Sequence, residues 1–216
     1  MAKKSDIFAE NWDSKANLIE RLKEQTSVLK NPRIEAAFKA IDRKDFVQPG
    51  YQVEAYEDYA IPIGEEQTIS QPTTVAYMLE LLAAEESDSV LDVGCGSGWS
   101  TALLAEIVGP GGQVVGFEVR EDLLQFGQAN IGKYELPQAE IRLGNPLKEV
   151  PSEAPFSRIL VSAAAGQVPD ALLGQLAVGG RMVIPIDDSL VTVMKKSEQK
   201  TETEEVSGFR FVPLQT

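Results

Sequence analysis

The chain contains no histidine. That excludes Ser-His-Asp and Cys-His nucleophilic catalysis and removes the commonest general base. It has one cysteine, Cys95, which cannot close an internal disulfide. With no imidazole and one thiol, no metal site is expected. No apolar run approaches the roughly 20 residues of a membrane-spanning helix. The opening Met1-Ala-Lys-Lys-Ser-Asp-Ile-Phe lacks the apolar core of a signal peptide. Together these features point to the cytoplasm and to no membrane partner. Positive charge is also scarce: 20 Lys and Arg stand against 33 Asp and Glu, a net charge of −13. A surface that acidic repels phosphate backbones, so nucleic acid is not an expected partner. The oligomeric state has no signature here, and a monomer is the expectation.

What the chain does have is ordinary globular material, 216 residues with 43% hydrophobic, enough for one sizeable core. Residues 1 to 14 are polar and read as loose. Leu18, Ile19 and Leu22, then Val28 and Leu29, suggest an amphipathic helix from Lys15. Asn31-Pro32 reads as an N-cap and first helical position for a helix burying Ile34, Ala37, Phe38 and Ile41. Residues 42 to 71 read as irregular, yet too apolar for disorder, hence an ordered functional segment. Pro72 opens a helix with Val75, Met78, Leu79 and Leu82 inward.

From there strands and helices alternate: strand 89–93, helix 98–108, strand 113–118, helix 121–131, strands 139–143 and 157–162, helix 169–176, strands 180–186 and 189–195, and a last strand near 206–212. This predicts an α/β fold, a doubly wound, mostly parallel seven-stranded sheet of Rossmann-like type, with an antiparallel edge and an N-terminal helical elaboration. Residues 1–71 are expected to pack on a core formed by 72–216 as one integrated domain. The charged segment Lys196 to Glu205 reads as a solvated hairpin loop.

Asp92-Val93-Gly94-Cys95-Gly96-Ser97-Gly98-Trp99 ends an apolar strand in an acid and a run of alternating glycines. Such a turn lets the backbone approach a ligand closely. The spacing is G-x-G-x-G, and the third glycine of the dinucleotide fingerprint is replaced by Trp99. That favours S-adenosylmethionine, which has no pyrophosphate, over NAD. Glu118 ends the next strand 20 residues after Gly98 and can accept hydrogen bonds from both ribose hydroxyls. Just before Pro72, Thr68 and Ser70 approach a helix start, where free N–H groups favour an anion. Ser70 reads equally well as a plain N-cap.

Four separated segments resemble the protein-L-isoaspartate O-methyltransferase family. They are Arg43 to Val47 with Tyr51 and Ala55 to Asp58; Ile61 to Pro72; Val90 to Trp99 with Thr101-Ala102; and Ala154 to Phe156 running on through Ser162 to Ala165, Pro169, Leu172, Gln175-Leu176, Gly179 to Arg181 and Pro185. Phe211 to Leu214 also fits. The resemblance implies methyl transfer from S-adenosylmethionine to the carboxylate of L-isoaspartyl residues in damaged proteins. Such a carboxylate is ionised at neutral pH and needs no base. By this likeness Ser70 orients the acceptor, and Gln67, Thr68 and Ile69 wall the site. Asp92, Gly94, Gly96 and Ser97 pack at the cofactor's methionine end, and Glu118 with Val119 holds its ribose side. Asn145 and Pro146 lie at its adenine. The family's Gly-Asp-Gly is here Gly144-Asn145-Pro146, which removes an N–H. Glu65-Glu66 stands where the family tends to have a glycine. A methyltransferase for another carboxylate or small molecule, or a binding module that keeps the fold, remains open on the sequence.

Overall fold

A computed structural model describes residues 14–214. The expectation for residues 1 to 14 lies outside them, except for Ser14, whose hydroxyl accepts from the Asn17 N–H and caps the first helix. That helix, α1 (Lys15–Glu20), widens into a π-turn over Arg21–Gln25. Asn31 caps α2 (Pro32–Ala40), with its side-chain oxygen 2.9 Å from the Arg33 amide. Ile34, Ala37 and Phe38 of α2 are buried, and Phe38 meets Trp99 edge to face at 5.6 Å.

The segment expected to be irregular is more regular than its sequence suggests. Two 3-10 turns, Arg43–Phe46 and Pro49–Glu54, lead into a small hairpin of β1 (Ile61–Gly64) and β2 (Gln67–Ile69). Ile61, Ile63 and Ile69 point into the core while Pro62, Gly64 and Thr68 stay exposed, the alternation a half-buried strand requires.

The main sheet holds β3 (Ser89–Val93), β4 (Gln113–Glu118), β5 (Ala139–Leu143), β6 (Phe156–Val161), β7 (Leu176–Ile186), β8 (Ser189–Ser197) and β9 (Lys200–Ser207), in the order β5-β4-β3-β6-β7-β8-β9. Strands β3 to β7 run parallel, β8 pairs antiparallel to β7, and β9 pairs antiparallel to β8. The period of two sorts side chains between the faces. Val90, Val114, Leu160 and Val183 join the core under α2, α3 (Pro72–Leu82) and α4 (Trp99–Val108). Leu91, Val93, Val115, Ile159 and Met182 join the opposite core with Leu172 of α6 (Asp170–Gln175). The helix α5 (Glu121–Ile131) places Leu124 against Ile141 and Cys95.

The last strand corrects the sequence reading. Residues 200–207 are strand, not loop, and the strand ends where one had been expected to begin. All eight residues are exposed, so their Thr-Glu alternation carries no burial pattern, and the backbone ladder to β8 alone defines the strand. β7 begins at Leu176, ahead of the expected 180, through an irregularity in its pairing with β6. Beyond β9 the chain crosses back, stacking Phe209 on Tyr77 at 5.6 Å, and Pro213 bridges to Ala164. Among the described residues no helix is long and apolar enough to cross a membrane.

Candidate active site

Strand β3 is flanked by β4 on one side and β6 on the other, so the chain leaves it in opposite directions. Ligands of open α/β sheets bind in the crevice at the carboxyl ends of strands at such a point. A cavity of about 850 Å³, open to solvent, lies there.

Its floor is the turn after β3. Gly94, Gly96 and Gly98 have φ of +74°, +52° and +83°, all in the left-handed region where a Cβ is strained. Gly98 is also a contact point: a Cβ there would sit 2.9 Å from Ile141 Cδ1 and 3.0 Å from the Gly127 carbonyl. The glycine thus lets α5 close on the turn. Ser97 lines the cavity as well. Glu118 projects from the end of β4 and is 5% exposed. Its Oε2 accepts from the Gly96 amide at 3.0 Å, and its Oε1 from the amides of Val119 at 2.8 Å and Arg120 at 3.0 Å. Three backbone donors therefore aim this carboxylate into the cavity, which Val119 also lines.

Asp92 stands behind this wall; its side chain does not line the cavity. Fully buried, its Oδ2 accepts from Ser100 and Thr101 hydroxyls at 2.7 Å each, tying the first turn of α4 to β3. Its Oδ1 has no hydrogen-bond partner among the described residues. Burial lifts this carboxyl to about 6, against the opposing pull of the two hydroxyls. Burial also drives the Cys95 thiol well up, so it is no nucleophile.

The opposite rim is the β1–β2 hairpin and the residues after it. Gln67, Thr68, Ile69 and Ser70 all line the cavity. Ser70 is not the N-cap of α3; Gln71 holds that position, with Pro72 first in the helix. The helix start is served by Asp58, whose carboxylate accepts from the Thr73 amide at 2.8 Å, the Thr73 hydroxyl at 2.7 Å and Gln71 Nε2 at 3.2 Å. The anion place expected at this helix end is thus filled by the chain's own acid. Ser70 is left to present its hydroxyl, which has no hydrogen-bond partner among the described residues, while its carbonyl accepts from Arg43.

Glu65 and Glu66 form the two-residue turn of the hairpin with φ of +52° and +58°. Glu66 is exposed and off the cavity wall; Glu65 pairs with Arg120 at 3.2 Å, joining the hairpin to the turn between β4 and α5 at the cavity mouth. Asn145 and Pro146 line the far end. Asn145 Oδ1 accepts from the Leu147 amide at 3.0 Å, and the Pro146 carbonyl accepts from Gln175 Nε2 at 2.7 Å. Arg43, Asp58, Arg120 and Gln175 were not singled out on the sequence. Arg43, Asp58 and Gln175 had a local signal, since all three lie among the residues that carry the resemblance; Arg120 had none. Among the described residues no group of three or more His, Cys, Asp or Glu could hold a metal.

The sequence profile of the protein-L-isoaspartate(D-aspartate) O-methyltransferase family matches residues 13–216. The protein-L-isoaspartate O-methyltransferase of Aeropyrum pernix is 40% identical over 189 residues, covering 86% of this chain and 72% of its own. That of Methanopyrus kandleri is 38% identical over 219 residues, 99% of this chain and 95% of its own. A crystal structure from Plasmodium falciparum, ascribed to the same enzyme and in complex with S-adenosyl-L-homocysteine, superposes with a TM-score of 0.83. It is 25% identical, covering 94% of this chain and 98% of that one.

Proposed function

The chain belongs to the protein-L-isoaspartate(D-aspartate) O-methyltransferase family, and from that premise we propose how its own residues carry the reaction, methyl transfer from S-adenosylmethionine to L-isoaspartyl carboxylates in damaged proteins. The observation that carries this reading is that one cavity joins the glycine turn and Glu118 on one wall to Thr68 and Ser70 on the other.

The residues present fit the methyl donor. The three left-handed glycines leave the floor free of side chains, and a Cβ at Gly96 would crowd Ile63 Cδ1 at 3.2 Å. Glu118, already aimed by backbone amides, has lone pairs left for ribose hydroxyls. Gly94, Gly96 and Ser97 hold the methionine end, with Asp92 behind them fixing α4 to β3. Val119, 43% exposed, and Pro146 offer apolar faces to the purine beside Asn145. When bound, S-adenosylmethionine supplies a methyl carbon made electrophilic by a positively charged sulfur.

The acceptor carboxylate is ionised at neutral pH, so no residue has to remove a proton. What the chain provides is alignment. The Ser70 hydroxyl donates to one carboxylate oxygen and leaves the other free to take the methyl group. Gln67, Thr68 and Ile69 form the wall against which the substrate chain lies. In this reading residues 72–216 are the catalytic core, and residues 1–71 supply the acceptor wall within one integrated domain. The enzyme works as a cytoplasmic monomer on proteins, and its charge of −13 disfavours nucleic acid.

Methyl transfer to a matched peptide pair, one with L-isoaspartate and one with aspartate, tests this. Labelling confined to the isoaspartyl peptide is expected. Equal labelling of both would move the enzyme to another carboxylate substrate, and labelling of neither would overturn the assignment.

A further inference from the structure

Arg43 is 1% exposed, and no carboxylate lies within ion-pair distance of it among the described residues. Its guanidinium is instead met by carbonyls. Nη1 donates to Ala55 at 2.9 Å and Glu57 at 3.1 Å; Nη2 donates to Tyr59 at 2.9 Å and Ser70 at 3.0 Å. Each terminal N–H thus has one acceptor. The guanidinium carbon lies 5.3 Å from the centre of the Trp99 ring, and Trp99 is the residue that follows the glycine turn and opens α4. The Nε–H has no hydrogen-bond partner among the described residues.

This is a poor way to gain stability. A buried cation without a directly bonded counter-ion forfeits its hydration, which Asp58 offsets only in part from longer range, and an apolar side chain of similar volume commonly serves a core better. Burial lowers the group's pKa to about 10, so it keeps its charge at neutral pH. What a guanidinium offers instead is a rigid planar fork. Three of its acceptors come from the single stretch 55–59, and the fourth is the carbonyl of Ser70. A shift of the Ser70 backbone therefore breaks a charge-assisted bond inside a dry site. The ring of Trp99, 5.3 Å from the guanidinium carbon, ties the same group to the cofactor wall.

We propose that Arg43 is a positioning residue for methyl transfer, holding Ser70 through its main-chain carbonyl and registering that rim of the cavity against the glycine-turn rim through Trp99. The proposal rests on the reading of Ser70 as the acceptor-orienting group.

The test is a cycle of Arg43→Lys, Ser70→Ala and the double variant, with Arg43→Met as a second probe of the site. Lysine keeps the charge but brings three donors from one point, too few for four spread carbonyls. At a temperature where circular dichroism shows it folded, Arg43→Lys is expected to lose about 10- to 100-fold in kcat on the isoaspartyl peptide, the range a small misplacement of reacting groups produces. Its affinity for S-adenosylhomocysteine is expected to stay within about twofold of wild type. The double variant is expected to lose little more than the worse single variant, because both act on one hydroxyl. Amide exchange is expected to quicken at residues 55–71 and not in α4. Unchanged kcat, fully additive losses, or cofactor affinity falling in step with kcat would each overturn the proposal. A wild type that binds S-adenosylhomocysteine but leaves the peptide unlabelled would sink the functional reading instead. In that case exchange at residues 68–71 still decides whether Arg43 holds Ser70, and unchanged exchange there sinks the positioning role.

Discussion

Replacing Asp92 by asparagine should change how stability depends on pH, in a direction and window set by burial. In the unfolded chain this carboxyl ionises near its ordinary value of 3.8; in the folded protein burial raises it to about 6. Between those values the native state keeps a proton that the unfolded state has lost. Stability is therefore greatest below the unfolded value and falls as pH rises through the folded one. One pKa unit corresponds to about 1.4 kcal/mol, so two units remove roughly 3 kcal/mol by pH 7.

Asparagine keeps an oxygen for the Ser100 and Thr101 hydroxyls and does not titrate. Its NH2 falls where Asp92 Oδ1 has no partner among the described residues, and an unsatisfied buried donor costs about 1–3 kcal/mol at every pH. That offset is constant, so the informative quantity is the difference between variant and wild type across pH. With the protein free of cofactor, the variant should gain roughly 2.5 kcal/mol on the wild type between pH 4 and pH 7.5, since part of the loss already precedes pH 4. For a chain of this size that is a relative Tm shift of about 5–10 °C, readable by differential scanning calorimetry. Repulsion within so acidic a surface acts on both proteins and cancels. Parallel Tm–pH curves would refute the reasoning, because they would mean that Asp92 is ionised in the native state at no cost.

Ser70→Ala should lower kcat on the isoaspartyl peptide while leaving S-adenosylhomocysteine affinity within about twofold; calorimetry that showed binding lost and turnover retained would reverse the assigned role. Glu66→Gly should raise Tm by about 1–4 °C, since a left-handed side chain costs about 1 kcal/mol and glycine's looser unfolded state returns part of that. The double change Asn145→Asp with Pro146→Gly restores an N–H to the adenine end and should tighten S-adenosylhomocysteine up to about tenfold. No change in affinity on titration would show that this N–H is not part of the cofactor's recognition.

The alternation of strand and helix, the glycine turn and Glu118 were all legible in the chain. Each rests on local rules: the period of side-chain burial, the φ that only glycine adopts freely, and the spacing from one strand end to the next. The bounds of β3, β4, α5 and β5 follow from those rules residue for residue. Strand β9 was not legible, because a strand exposed on both faces has no burial period and exists only through its pairing with β8. Ser70 lines the cavity, and the capping role that its sequence position left open is performed by Asp58, 15 residues upstream of Thr73. Arg43, reaching carbonyls 12 to 27 residues away, and Gln175, reaching Pro146 from 29 residues away, left no pattern that could reveal their contacts. A side chain's identity states what bonds it can make. Which carbonyl or carboxylate it meets depends on how distant segments pack, and in this protein that packing decided how both rims of the cavity are held.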